Sequence, residues 1–562
     1  MTSTTMAWTS TNGIVLGDLV PAQLRRRWVE QGHCPDRDLY TLFSEHVRAD
    51  PRRTAVIDAT GAIDYATLDT RVRRIAAALA GAGLGARDIV GIQLSNSWRA
   101  VAAELAVAAV GAVALPYPAG RGRRDSVSLL GRSRASAVIV SDVAGQVPLA
   151  ANLAGLRPDL PDLRTVFVFG ATPEGCEPLD KWLASASAEQ RWSCEPIDSA
   201  LIDPEAPARI LVSSGSEAEP KMVAYAHNAM AGGRGNYIGA LYSSPAPMRS
   251  LILVPLASSY GSCGMVILAR HGGTLLLLDA FDPAAALRMI TDHQPTHVFG
   301  VPIMLRRIIE QPRAAGEGSS GLRVLISSSA ALPAATIEAC MTRFGVPVVN
   351  IYGSADGVNC HTAGEDCAPT AAGCVGRPDP TVADIRIVDE HGQPVPTGQA
   401  GEIWSLGPMT PLCYVNAPEL DARYRAPGGW VRTGDRGLIG SDGCLLVVGR
   451  LKQIVIRGGY HISPAEVERQ LVAHPAIADV ACIAVPDPEF GERLCACITL
   501  RPNTPAPTLT QLNAFLERDR GLERRKLPEL LLILPELPLG PTDKVCRQTL
   551  TRLATARPAC FA

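Results

Sequence analysis

Val212-Ser-Ser-Gly-Ser-Glu-Ala-Glu-Pro-Lys-Met-Val223 is the stretch on which the fold reading turns. The apolar run Arg209–Val212 leads straight into a loop of small and hydroxyl-bearing residues. Such a loop presents backbone N–H groups and hydroxyls that can hold phosphate oxygens. It carries no Gly-Lys-Ser/Thr, so it is not a Walker A loop. Working outward, similar short apolar runs recur at Ala137–Val140, Leu251–Val254 and Val324–Ile326, with helix-length segments between them. In Tyr65–Leu79, Leu68, Val72, Ile75 and Leu79 follow at steps of four, three and four, which predicts a helix with one apolar face. Gly81, Gly83 and Gly85 then predict its end. Strand-length runs alternating with helices predict an α/β protein built from βαβ units, its sheets covered by helices.

A chain of 562 residues is too long for one ordinary core and predicts two or more domains. Apolar residues make up 47% and charged residues 19%, a globular composition. Lys and Arg number 53 against 55 Asp and Glu, and this near balance argues against a nucleic-acid binder. No uninterrupted apolar run approaches the ~18 residues of a membrane span. The first basic side chain is Arg25, so the start of the chain has no basic signal-peptide region. The 15 cysteines form no Cys-x-x-Cys pair and read as reduced thiols of a cytoplasmic protein.

Further motifs follow in order: Asn350-Ile-Tyr-Gly-Ser-Ala-Asp356, Trp430-Val-Arg-Thr-Gly-Asp435, Gly449-Arg-Leu-Lys-Gln-Ile-Val-Ile-Arg-Gly-Gly-Tyr-His-Ile-Ser-Pro-Ala-Glu-Val467, and Leu537-Pro-Leu-Gly-Pro-Thr-Asp-Lys-Val-Cys-Arg547. With them the chain, from about Leu42 to Leu550, resembles the adenylate-forming superfamily of acyl-CoA ligases, peptide-synthetase adenylation domains and luciferases. The resemblance implies a large N-terminal AMP-binding domain over residues 1–449 and a small, mobile α+β C-terminal domain over 450–562. Lys452 would be the hinge. It also implies site roles. Asp435 would bind the ribose hydroxyls, a task a carboxylate suits because it accepts both O–H groups. Arg450 would contact ribose or phosphate, and Tyr352 would stack on adenine beside Gly353 and Ser354. Ser328, Ser329 and Ala330 would line the nucleotide pocket, Lys544 would stabilise charge during adenylation, and Gly459 would border the pantetheine of coenzyme A. Two reactions follow: a carboxylate and ATP form acyl-AMP, then the coenzyme A thiol displaces AMP.

The departures from the family pattern fall where a triphosphate and its metal would sit. The family's loop reads approximately Thr-Ser-Gly-Thr-Thr-Gly-x-Pro-Lys-Gly. This chain has Ser213, Ser214, Gly215, Ser216, Glu217, Ala218, Glu219, Pro220, Lys221 and Met222. Glu217 and Glu219 add acids where phosphates would lie. One like-charge pair at ~4 Å costs about 4 kcal/mol at an effective dielectric of ~20. Ala218 and Met222 replace glycines in a loop that needs conformational freedom. Asp356 stands where relatives supply Glu to Mg²⁺, an ion that tolerates little geometric error. Asp543 replaces the glycine before Lys544. The AMP and thioester motifs keep the pattern.

The expected activity is therefore conversion of a pre-formed acyl-adenylate and coenzyme A to acyl-CoA and AMP. Adenylation would be impaired or lost, Mg²⁺ needed only if adenylation persists, and a separate upstream ligase would supply the adenylate. A complete two-step ligase and a non-catalytic adenylate binder remain open. In Pro255-Leu-Ala-Ser-Ser-Tyr-Gly-Ser-Cys-Gly264, the small residues Ser258, Ser259 and Gly264 suggest an acyl pocket with room for a bulky acid. The chain is also similar to non-adenylating acyl-CoA ligases of diterpenoid-antibiotic biosynthesis, which implies a diterpenoid acid. The spacing of Cys360, His361, Cys367 and Cys374 fits no zinc template. Pro295 between His293 and His297 disfavours a helical metal pair, and no Gly-x-Ser-x-Gly elbow suggests a serine hydrolase.

Overall fold

The computed structural model describes residues 7–185, 202–213, 220–242, 244, 246–313, 321–329, 332, 334–362, 374–451, 455–457, 460–487, 491–520, 522, 524–540 and 544–556. Its contacts separate two compact units. The first comprises Met1–Asp366, Gly376–Ile385 and Trp404–Arg432; the second comprises Cys367–Val375, Arg386–Ile403 and Thr433–Ala562.

In the first unit the alternating pattern becomes two large, mostly parallel sheets among the described residues. One runs edge to edge through Met222–Ala226, Pro207–Val212, Val113–Pro116, Ile89–Gln93, Ala137–Ser141, Thr165–Phe169 and Glu177–Pro178. Only its edge hairpin, Pro207–Val212 with Met222–Ala226, is antiparallel. The other runs through Val358–His361, Val348–Ser354, Val324–Ser328, His297–Gly300, Arg249–Ile252, Thr274–Leu277, Thr54–Asp58 and Gly61–Asp64. Apolar runs such as Ala137–Val140 are buried throughout, as strands covered on both faces must be. The helix expected from Tyr65 spans Tyr65–Gly81. Asp64 caps it by accepting from the Thr67 amide, and Leu68, Val72, Ile75 and Leu79 are fully buried.

One strand breaks the apolar rule. Arg209, at the middle of Pro207–Val212, is 1% exposed. Its guanidinium pairs with Glu104, buried on the helix Trp98–Ala109, and donates to the Leu256 carbonyl at 2.8 Å. Burial pushes the Glu104 carboxyl up and the Arg209 guanidinium down, and each opposite charge resists the other's shift.

In the second unit a five-stranded sheet is formed by Tyr460–Ile462, Val455–Arg457, Gly491–Leu500, Ile477–Asp487 and Leu530–Ile533. The two-residue period of a strand gives it two cores. Leu494, Ala496 and Ile498 face one, which also holds Val467 and Leu471 of the helix Pro464–Leu471. Cys495 and Cys497 face the other, with Leu530, Leu532 and Leu550 of the helix Arg547–Ala556.

The buried pair yields a stability prediction. Glu104→Leu leaves Arg209 charged and unpaired and is expected to destabilise the chain by about 3–5 kcal/mol, read as a lowered urea midpoint. Adding Arg209→Met to Glu104→Leu should recover most of that loss. Equal midpoints for wild type and Glu104→Leu would contradict the pairing.

Candidate active site

The strand hairpin in the first unit places the start and end of the phosphate-loop segment side by side. The Ser213 amide donates to the Lys221 carbonyl at 2.9 Å, and the Lys221 amide donates to Ser213 Oγ at 3.2 Å. Ser214, Gly215, Ser216, Glu217, Ala218 and Glu219 lie outside the described residues. Met222 is not part of the loop. It opens the strand Met222–Ala226 opposite Val212, is 1% exposed, and accepts at its carbonyl from the Val415 amide. Its side chain therefore fills core rather than stiffening a phosphate-binding turn.

Beyond the hairpin the Lys221 side chain meets Asp356. Lys221 Nζ lies 3.8 Å from Asp356 Oδ1, with the two side chains 12% and 13% exposed. Tyr414 Oη donates to the same Oδ1 at 2.6 Å. The ammonium also sits 3.7 Å from the ring centre of Tyr424 and 5.7 Å from that of Tyr414, within range of cation–π attraction. Burial, then the Asp356 charge, raises the Tyr414 hydroxyl far above its ordinary range, so it remains a donor. Gly357 holds φ +108°, and a Cβ there would come within 2.4 Å of Pro411. Only glycine lets the chain turn this tightly after Asp356.

The segment expected to line the nucleotide grows from the neighbouring sheet. Ser328 ends the strand Val324–Ser328, and its Oγ donates to the Ile351 carbonyl at 2.9 Å. Ser329 holds φ +76°, a left-handed backbone that non-glycine residues seldom adopt and that concentrates at functional sites. Ala330 lies outside the described residues. Tyr352, half-buried, Gly353 and Ser354 occupy the strand Val348–Ser354, and Ser354 Oγ accepts from the Asp356 amide at 3.1 Å.

The segment 255–264 forms a tight turn after the strand Arg249–Ile252. The Ser258 amide donates to Pro255 O, and Ser258 Oγ accepts from the Gly261 amide, both at 2.9 Å. A Cβ at Gly261 would stand 2.0 Å from Pro255 O, so the close approach requires glycine. Ser258 and Ser259 are half-buried, and Gly264 is buried in the helix Cys263–His271. Arg234 reaches this turn, with Nη1 donating to Ser259 O and to Ser262 Oγ at 3.0 Å each.

In the second unit Asp435 and Arg450 face each other across paired strands, with Arg450 Nε 3.0 Å from Asp435 Oδ1. Asp435 is nearly buried and Arg450 half-exposed. Their charges also reach Lys544. Desolvation, then the like charge of Arg450, lowers the Lys544 amine to about 8 against the pull of Asp435. The residue as a whole is exposed, and solvent there screens part of the effect. Lys452, Gly459 and Asp543 lie outside the described residues. Cys360 and His361 are buried on the strand Val358–His361. Among the described residues no group of three or more His, Cys, Asp or Glu side chains is placed to hold a metal. No described helix is long and apolar enough to cross a membrane.

Sequence reading missed Tyr414, Tyr424, Tyr225 and Arg234. Tyr414 arrives through pairing of 412–415 with the hairpin, in which the Ala224 amide donates to Cys413 O and the Leu412 amide to Ala224 O. Nothing local to Tyr414 signals a partner almost two hundred residues earlier. Arg234 did carry one signal, as a lone cation in the apolar stretch Ala229–Gly239.

Comparison with known proteins finds relatives over most of the chain. The family model for the AMP-binding enzyme matches residues 43–415, and that for the AMP-binding enzyme C-terminal domain matches 466–544. The chain is 28% identical over 549 residues to 2-hydroxy-7-methoxy-5-methyl-1-naphthoate–CoA ligase of Streptomyces carzinostaticus, covering 95% of this chain and 96% of that relative. It is 30% identical over 553 residues to the salicyl-AMP ligase/salicyl-S-ArCP synthetase of Mycobacterium tuberculosis, covering 96% and 94%. Among solved structures, the amide bond synthetase McbA of Marinactinospora thermotolerans superposes with a TM-score of 0.78 at 27% identity, covering 91% of this chain and 99% of that one.

The lowered Lys544 amine makes a prediction about reactivity. Of the five lysines in the chain, Lys544 is expected to react with an amine-acylating reagent at a midpoint well below that of an ordinary lysine, because a lowered value frees the neutral amine earlier. An ordinary lysine reacts with a midpoint near ~10.4. Pulse labelling across pH with peptide mass spectrometry reads this directly; a Lys544 midpoint near 10 would contradict it.

Proposed function

We propose that this chain, which belongs to the AMP-binding enzyme family and is an adenylate-forming, acyl- or aryl-CoA ligase-like enzyme, performs chiefly that chemistry's second half. It takes a pre-formed acyl-adenylate and coenzyme A and releases acyl-CoA and AMP. ATP-dependent adenylation is impaired or lost, and a separate upstream ligase supplies the adenylate.

The observation that carries this reading is the state of Asp356. The carboxylate at the metal position is already engaged by the Lys221 ammonium and the Tyr414 hydroxyl. Mg²⁺ demands near-octahedral oxygen ligation at about 2.0–2.1 Å. To reach Asp356 it would have to displace a cation held between an acid and two aromatic rings. The residues present do not fit the ion, and no step is assigned to it. Glu217 and Glu219 point the same way, since acids in the loop repel a triphosphate. An acyl-adenylate carries no pyrophosphate and needs no metal clamp.

In the second half-reaction the coenzyme A sulfur adds to the acyl carbon as its thiol proton passes to water, the acyl–phosphate C–O bond breaks, and AMP leaves with the electron pair. AMP is a good leaving group, so positioning supplies most of what the protein must do. In this reading Asp435 takes the ribose hydroxyls, Arg450 the ribose or phosphate, and Tyr352 the adenine. Lys452 acts as pivot between the large and small domains, divided at 449/450, and Gly459 borders the pantetheine. The acid is bulky, polycyclic or diterpenoid, held at Ser258, Ser259 and Gly264; a relative named for a naphthoate supports a large ring. The protein works in the cytoplasm.

A complete two-step ligase is the second reading. Lys221 and Lys544 are retained, and relatives bear the names of CoA ligases and AMP ligases. A paired mass-spectrometric assay separates the two. One arm holds a panel of bulky acids, ATP, Mg²⁺ and coenzyme A; the other holds the synthetic acyl-adenylates and coenzyme A. Acyl-CoA is expected in the adenylate arm alone, and acyl-CoA in both arms would overturn the proposal. Neither arm would yield acyl-CoA from a mere adenylate binder. Combining Glu217→Thr, Ala218→Gly and Glu219→Gln with Tyr414→Phe should raise acid-dependent pyrophosphate release above wild type. No gain would remove the loop and Asp356 as the cause.

A further inference from the structure

Arg234 closes a π-helical turn, Met230–Arg234, inside the helical stretch that follows the edge hairpin. Single π-turns within helices are frequent at functional sites. The residue is 4% exposed. Nη1 donates to Ser259 O and Ser262 Oγ, Nη2 donates to Ser259 Oγ at 3.3 Å, and the guanidinium lies 5.0 Å from the ring centre of Tyr225. These acceptors are all neutral. Nε is buried with no hydrogen-bond partner. Among the described residues no carboxylate stands within ion-pair distance of Arg234, and the acid of this interior, Glu104, is taken by Arg209. The charge of Arg234 is close enough to depress the Arg209 guanidinium further.

A clamp for a serine turn does not need a full charge. An uncompensated guanidinium buried against neutral acceptors is costly, and its spare donors want an oxygen. Its Nη atoms grip Ser259, in the turn assigned above to the acyl pocket. We propose that Arg234 is a specificity-determining residue of that pocket, whose unfilled donors take an acceptor oxygen, an anionic one in preference, carried on the acyl group of the substrate. This rests on the reading of 258–264 as the acyl pocket. It assigns to the substrate a second oxygen function besides the carboxyl that becomes the thioester.

The test uses two non-reacting adenylate mimics, the 5′-O-(N-acylsulfamoyl)adenosines of 2-hydroxy-1-naphthoic acid and 1-naphthoic acid, titrated calorimetrically against the full chain without ATP or coenzyme A. The wild type is expected to bind the hydroxylated mimic about tenfold or more tightly, as a hydrogen bond to a charged donor implies. Arg234→Gln should bring the ratio to within about twofold by weakening only the hydroxylated mimic, and Arg234→Lys should lie between. A wild-type ratio near one overturns the proposal, as does an Arg234→Gln variant that weakens both mimics equally, which marks a purely turn-positioning role. Failure to bind either mimic overturns it as well. If Arg234→Gln lacks a native thermal transition, the wild-type ratio together with Arg234→Lys decides. The half-reaction proposal stands or falls in the paired assay, independently of this ratio.

Discussion

A charge buried in the middle of a sheet strand constrains everything around it. Arg209 has no solvent to turn to, so its guanidinium must find acceptors in the protein. It finds Glu104 on one element and the Leu256 carbonyl on another. The strand Pro207–Val212, the helix Trp98–Ala109 and the turn from Pro255 are thereby tied to one centre. Val212, three residues on, bridges to Ser258 in that same turn. The strand that launches the phosphate-loop segment and the turn assigned to the acyl group thus share a foundation, and movement of either would strand a charge at a cost of several kcal/mol.

Around that centre the protein places its other charges in two ways. Lys221 and Asp356 satisfy each other, with Tyr414 and Tyr424 closing over them. In the proposed reading, a lysine so occupied is poorly prepared for phosphates, and an acid so occupied is poorly prepared for a metal. Arg234 is the opposite case, a buried cation whose partners among the described residues are neutral. In the proposed reading, the first unit pairs Lys221 with Asp356 where a triphosphate would bind and, among the described residues, leaves Arg234 without a carboxylate partner beside the turn proposed for the acyl group. That distribution suits a ligand with little phosphate charge and a polar acyl group.

Much of the fold was legible in the chain. Period-3.6 spacing from Leu68 to Leu79 marked a helix whose four apolar residues are all fully buried. The runs at Ala137, Arg209, Leu251 and Val324 became strands because short apolar stretches between helices have few other ways to satisfy their backbone groups inside a core. Boundaries moved where neighbours decided them. The strand expected at Leu251–Val254 spans Arg249–Ile252, where its parallel partners Thr274–Leu277 and His297–Gly300 lie alongside. Met222 looked like a loop residue from its family position and is a strand residue, because its hydrogen bonding is set by Val415 from a distant segment.

Local order in the chain determined the alternation of strands and helices, the motif order that places the protein in its family, and the odd acids of the phosphate-loop segment. All of these depend on neighbours within a few residues, or on side-chain type alone. The tertiary structure decided which charges meet. That Lys221 turns to Asp356 and Tyr414, that Arg209 takes Glu104, and that Arg234 meets serine oxygens and Tyr225 are outcomes of strands and turns far apart in the chain being brought together. Electrostatic pairing depends on distance in space and on the exclusion of water, and a linear sequence contains neither.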